Sequence, residues 1–178
     1  MFKNLILIFS IFIGTIMTTN QAQAANDNIL VMKLKYGEVK IQMYEDVAPN
    51  HVARIKELAN DGFYDNITFH RVIDGFMAQT GDPRGDGTGG SGKNLKAEFS
   101  DVKHTRGVVS MARAQNINSA DSQFFIMLDD APHLDGQYTV WGKVISGMEY
   151  VDQIQKGDPY MNGTVGNPDK IISLSVVE

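Results

Sequence analysis

The sequence predicts a mainly β fold in which short strands close into a barrel or sandwich with helices at its ends. Three observations carry this. Many short runs are rich in β-branched and aromatic residues, turn residues separate them, and only two stretches have helical periodicity, with no repeated βαβ unit. At 178 residues, 43% hydrophobic and 21% charged, the chain has the profile of one globular domain. Neither an internal repeat nor a second-domain boundary is visible.

The first segment stands outside that fold. Lys3 precedes the apolar run "LILIFSIFIGTIM" from Leu5 to Met17, and "TTNQ" and then "AQA" follow, ending at Ala24. This is the order of a secretory leader with a small-x-small cleavage site, so residues 1–24 are expected to be removed and the mature domain to span 25–178. The apolar run has 13 residues, against the roughly 20 a spanning helix needs, so no membrane attachment is expected after cleavage. Cleavage removes Lys3 and no acidic residue, moving the formal charge from -5 to -6. An acidic chain offers no phosphate-binding face, which argues against a nucleic-acid partner. With no cysteine there is neither a disulfide staple nor a lipid-carrying residue. The expected location is a soluble exported compartment, most simply a bacterial periplasm, with secretion to the medium the lesser alternative and a monomer the default state.

From Ile29, "ILVMKLKYGEVKIQMY" alternates on both sides of Tyr36 and Gly37, as a hairpin with a short turn does. "APNHVARIKELANDG" then turns helical: Val52, Ile55, Leu58 and Ala59 share a face, Pro49 suits the first turn and Gly62 the stop. Short strands are predicted in "NITFHRVI", "GVVSMAR", "SQFFIML" and "YTVWGKVI". In "SGMEYVDQIQKG", Ser146 and Glu149 have capping-box spacing, while Met148, Val151 and Ile154 line one face of a second helix. "DKIISLSVVE" reads as the last strand.

Several motifs are better explained without chemistry. Gly85, Gly87 and Gly90 match GxGxxG, but the stretch Gly81 to Gly92 is no strand-to-helix turn and reads as a loop. "RGD" at Arg84 to Asp86 is too short to carry weight, and the sequons "NIT" and "NGT" matter only in a glycosylating host. His51, His70, His104 and His133 lack ligand spacing and read as packed or surface residues; Asp129, Asp130 and Asp135 lack the calcium-loop pattern. Without cysteine, GxSxG or a serine beside an obvious base, covalent catalysis has no visible apparatus. No metal or cofactor is expected.

One stretch is left unexplained by these readings. "FHRVIDGFMAQTGD", residues 69–82, reads as an apolar strand with Arg71 in its middle, on the same face as Phe69 and Ile73. An unpaired buried arginine is costly, so Arg71 either pairs with a distant acid or lies at a partly wet cleft. Phe76, Met77, Phe124 and Phe125 are core residues by default.

Taken in order, "FHRVIDGFMAQTGD", "GDGTGGSG", "GVVSMARA", "SQFFIM" and "LDGQYTVWGKVISGMEYVD" resemble the successive signature blocks of the cyclophilin-type peptidyl-prolyl cis-trans isomerases, across essentially all of the chain from Ile29 onward. The resemblance implies a closed eight-stranded antiparallel β-barrel capped by two α-helices, with the substrate groove on its outer surface. It implies an isomerase acting on X-Pro bonds in exported polypeptides and assisting their folding, with proline-containing segments as partners. It places catalytic roles on Arg71, Gln79 and Phe125. Phe76, Met77 and Leu134 join Phe125 in the proline pocket, Ala112 and Arg113 hold the residue before proline through backbone groups, and Gln123 lies beside them. His133 stands where animal members usually carry a cyclosporin-binding tryptophan, and Tyr138 where many carry a groove histidine; both resemble bacterial members. Arg113 replaces the asparagine common in "SMANA". Two other classes fit the same blocks: a binding module or chaperone that holds proline-containing segments without needed turnover, and a host-directed secreted factor.

Overall fold

The computed structural model describes residues 28–177, so the expected leader and its cut lie outside the described residues. Alternation builds the first hairpin. In β1 (Ile29–Leu34) the buried positions are Leu30, Met32 and Leu34, and in β2 (Gly37–Met43) they are Val39, Ile41 and Met43. Leu34 pairs with Gly37, which leaves Lys35 and Tyr36 as the two-residue turn. A side chain at position 37, where φ is +155°, would meet the Tyr150 ring at 2.5 Å, so any other residue there has to displace that ring.

Helix α1 (Pro49–Asn60) follows as the periodicity predicts, burying Val52, Ile55, Leu58 and Ala59 together with His51. Ala48 at its start supplies no side-chain cap. Glu98 does so from a distant loop, accepting the amides of Asn50 at 3.2 Å and His51 at 3.1 Å and bonding the His51 ring at 2.6 Å. This satisfies the first-turn donors and places a negative charge at the positive end of the helix.

The run 69–82 is not one strand. Regular pairing begins only at Arg71, and Asp74, Gly75 and Phe76 form a turn between β3 (Arg71–Ile73) and β4 (Met77–Thr80). Arg71 is therefore paired across the hairpin with Gln79. Phe69, expected on the face of Arg71, lies outside the strand and fully buried in the main core, whereas Ile73 packs on the outer cluster. The chain continues through β5 (Val108–Met111), β6 (Phe124–Met127), β7 (Val140–Ser146), the short α2 (Met148–Val151) and β8 (Ser173–Val176). Helix α2 covers less than predicted, and the capping box does not form. Gly147, at φ +88°, is its first cap, and Ser146 still belongs to β7.

All ladders are antiparallel, in the order β3-β4-β6-β5-β7-β2-β1-β8. The expected closure is absent: the sheet is open and curled, with β3 and β8 at its ends. Between those ends runs irregular chain, joined by single bonds such as Phe69 N to Asp169 O at 2.8 Å and Val165 N to His70 O at 3.1 Å. The segment from Gly163 to Ile171 contains Gly166 and Pro168, and a proline has no N–H to give a ladder. Isolated antiparallel bridges at Thr68–Lys170 and Arg71–Thr164 replace a continuous ladder along that seam.

Two apolar clusters result. The main core lies inside the curl, where Phe124 packs nearly perpendicular to Tyr64 at 5.6 Å and Trp141 at 5.4 Å between ring centres. The smaller cluster of Met77, Val108, Phe125, Met127, Ala131, Leu134 and Val140 lies on the outer face, backed by Phe76 and Tyr138. All four residues of β6 are buried, alternate ones serving opposite clusters. That is why "FFIM" is apolar throughout.

Candidate active site

The outer cluster opens to solvent as a pocket of about 180 Å³, lined by Arg71, Phe76, Met77, Gln79, Ala112, Arg113, Phe125, Leu134 and Tyr138. Nine of the eleven residues singled out from sequence thus meet in one hollow. The other two flank it: His133 is exposed at the rim, its ring 5.6 Å from that of Phe76, and Gln123 lies one hydrogen bond beyond Gln79. Leu134 reaches the pocket from a 3-10 turn at Pro132–Leu134.

Arg71 resolves the alternative left open above in favour of the cleft. Its three hydrogen bonds all go to neutral acceptors: Nε to the Asn162 main-chain oxygen at 3.0 Å, one terminal nitrogen to Asn162 Oδ1 at 2.9 Å, and the other to Gln79 Oε1 at 3.2 Å. Among the described residues no carboxylate pairs with it. Partial burial pushes the guanidinium pKa down from its ordinary value, with Tyr138 a lesser opposing influence. An arginine still keeps its charge at neutral pH.

A chain of amides extends from there. Gln79 Nε2 donates to Gln123 Oε1 at 2.9 Å, and Gln123 Nε2 donates to the carbonyls of Gly87 at 3.0 Å and Gly89 at 2.8 Å. The glycine-rich loop therefore anchors the glutamine that touches Arg71. Asp82 organises that loop: its nearly inaccessible carboxylate accepts the amides of Arg84, Asp86 and Gly87 at 2.6 to 3.2 Å. Burial pushes the Asp82 carboxyl up, but these amides outweigh it and hold it below its ordinary value.

Beside this pocket lies a larger polar hollow of about 500 Å³, which shares Gln79, Ala112 and Arg113 with it and adds Arg84, Ser119 and Asp121. Arg113 sits on the divide, its guanidinium 4.7 Å over the Tyr138 ring and bonded to Gln137 O at 3.1 Å. The Ala112 amide is already donated to Gln123 O at 2.9 Å.

Two arrangements escaped the sequence reading. Asn162, 91 residues from Arg71, appeared there only as a sequon asparagine; the one local signal for its shape is the Asn-Gly dipeptide, and its φ is indeed +53°. Behind Phe125, Ser110 Oγ lies 2.9 Å from His104 Nε2, and His104 Nδ1 lies 3.1 Å from Asp135 Oδ1. This has the connectivity of a nucleophile relay, but Ser110 is wholly buried, so no acyl group can reach it.

His70 and His104 give the fold a pH dependence. Burial is the main cause lowering both pKa values, opposed by Asp82 at His70 and by Asp135 at His104. Unfolded histidine titrates near about 6.5, so below that pH the unfolded chain binds more protons than the folded one. Their contribution is fully present above that pH and declines as pH falls through it toward the folded values. The urea midpoint is expected to drop between pH 7.5 and 5.5, and to drop less in His70→Leu. An equal drop in both proteins would remove His70 from the explanation.

The comparisons with known proteins identify the family. The family model described as "Cyclophilin type peptidyl-prolyl cis-trans isomerase/CLD" matches residues 29–176. The chain belongs to the cyclophilin-type isomerase family. A Brucella suis protein named "Probable peptidyl-prolyl cis-trans isomerase" is 52% identical, the match covering 92% of this chain and 89% of that one. "Peptidyl-prolyl cis-trans isomerase B" of Bacillus subtilis is 46% identical over 68% of this chain and 85% of its own. Among solved structures, a Cryptosporidium parvum cyclophilin crystallised in the presence of the dipeptide Ala-Pro is similar at a TM-score of 0.76 and 29% identity, covering 84% of this chain and 99% of that one. Family membership makes this chain an isomerase of X-Pro peptide bonds.

Proposed function

We propose that this cyclophilin turns X-Pro bonds in exported polypeptides and does so through Arg71. The observation that carries the mechanism is a guanidinium, bound only to neutral acceptors, on the wall of a pocket of about 180 Å³ that also presents Phe76, Met77, Phe125 and Leu134. Rotation about an X-Pro bond crosses a barrier of roughly 18–20 kcal/mol, most of it lost amide resonance. In the twisted state the proline nitrogen regains a lone pair and becomes an acceptor. A donor aimed at it acts mainly in the transition state, which is what accelerates a reaction. Phe76, Met77, Phe125 and Leu134 hold the ring, Gln79 steadies the donor, and Ala112, its amide committed, offers the preceding residue its carbonyl. No proton changes hands in this scheme.

The magnitudes are compatible. An acceleration of about 10⁵ needs roughly 7 kcal/mol, of which one preorganised donor supplies about 2.7–4. Ring anchoring and the exclusion of water account for the remainder. The Cryptosporidium relative crystallised with Ala-Pro supports a proline ligand for the groove.

Export rests on the leader pattern of residues 1–24. N-terminal sequencing of the protein from a periplasmic fraction is expected to begin at Ala25; a chain retaining Met1 in the cytoplasm would contradict it. The polar hollow also supports holding a polypeptide without turning it. The two activities separate in one comparison: the catalysed phase of proline-limited refolding of a client is expected to lose about 10² to 10³ of its acceleration with Arg71→Ala. Undiminished suppression of aggregation by that variant would assign the protective role to binding alone.

A further inference from the structure

We propose that Asn162 is a positioning residue for Arg71, and that its neutrality is the property that matters. The inference rests on the isomerase reading and adds a residue to it. A guanidinium has five N–H donors in a rigid fork. Three are occupied here, two of them by Asn162 through its main-chain oxygen and Oδ1, the third by Gln79. The fork is thereby fixed on one side, and two donors remain for the groove.

The loop that carries Asn162 is itself fixed to β3. Val72, next to Arg71, donates its amide to Gly163 O at 2.8 Å and accepts the Gly157 amide at 2.9 Å. Within the loop, Asp158 accepts the Tyr160 amide at 2.8 Å on its side chain and the Gly163 amide at 2.9 Å on its carbonyl. Asn162 is thus in register with Arg71 even though most of its surroundings are solvent.

Residue choice follows from two constraints. The backbone at 162 is left-handed, at φ +53°, where glycine, asparagine and aspartate are the residues that sit without large strain. Of these, glycine has no side-chain acceptor. Aspartate has one, but its charge would pair with the guanidinium and cancel much of the potential aimed at the proline nitrogen. Asparagine alone orients the fork and leaves its charge intact.

The test compares three proteins on one X-Pro peptide, each also in the Arg71→Ala background. Asn162→Gly keeps the backbone shape and the main-chain acceptor, and its kcat is expected to fall about tenfold, with KM within about twofold. Asn162→Asp keeps shape and acceptor but adds charge, and its kcat is expected to fall at least as far. Neither variant is expected to lower the thermal midpoint, and neither changes the residual rate of Arg71→Ala. Full activity in Asn162→Gly would overturn the positioning role, and full activity in Asn162→Asp would overturn the requirement for neutrality. A further loss in the Arg71→Ala background would show that Asn162 acts by another route. A wild-type protein without turnover would instead count against the isomerase reading itself.

Discussion

Replacing Arg71 with alanine is expected to lower kcat/KM for an X-Pro peptide by about 10² to 10³, the loss typical of removing one preorganised donor from a developing acceptor. The expectation follows from where the side chain sits. Arg71 is half-buried on the pocket wall, and its acceptors, Asn162 and Gln79, hold it without neutralising it. The apolar wall of Phe76, Met77, Phe125 and Leu134 stays in place in the variant, so ground-state binding is expected to change little. Because no carboxylate is left behind unpaired, the fold is expected to lose little as well. Urea unfolding checks this: a midpoint close to the wild type assigns the kinetic loss to chemistry. A kcat/KM reduced less than threefold would mean that ring anchoring alone carries catalysis.

Phe124→Ala is expected to cost about 3–5 kcal/mol of stability, the range for removing a large aromatic side chain from a packed interior. Phe124 is inaccessible and packs edge-to-face with both Tyr64 and Trp141, so its loss opens a cavity between those two rings. In a domain of this size the thermal midpoint shifts by about 2–4 °C per kcal/mol, so a fall of roughly 10 °C is expected. Its neighbour Phe125 faces the opposite way, into the outer pocket beside Arg71. Phe124→Ala is therefore expected to retain activity per folded molecule below its melting range. A loss under about 1 kcal/mol would contradict the packing described for the main core.

How far the sequence disclosed this depended on what each signal measures. Alternation located β1 and β2 because one face of each is buried and the other is wet. It said less about β6, where both faces are covered and "FFIM" carries no period. Helix α1 was legible in its apolar stripe, its proline and its glycine. Helix α2 was overextended because Ser146 and Glu149 imitate a capping box, while the corner after β7 needs a left-handed residue that Gly147 supplies. That the sheet stays open could not be read locally, since the gap between β3 and β8 is crossed by irregular chain between Gly163 and Ile171. The apolar run 69–82 concealed a hairpin, and that hairpin is what brings Gln79 opposite Arg71.

For the site, patterning alone left Arg71 between an ion pair and a cleft, because its decisive neighbour Asn162 lies 91 positions away and is uncharged. The ordered signature blocks singled out what periodicity could not, and nine of the eleven residues named from them line one pocket in the fold. They did not reveal Asn162, nor the buried contact between Ser110 in β5 and His104 in the loop six positions before it.

The claim that Arg71 acts on the twisted amide, and not on the bound substrate at rest, is tested most directly by measuring two quantities on one saturated complex. Exchange NMR on an Ala-Pro peptide gives the rate of cis-trans interconversion on the enzyme, and a titration gives the dissociation constant. In Arg71→Ala the on-enzyme rate is expected to fall by about 10² to 10³ while the dissociation constant stays within about threefold of wild type. An unchanged on-enzyme rate accompanied by a comparable loss of affinity would contradict the account, because Arg71 would then be a binding group whose hydrogen bond exists before the bond begins to turn.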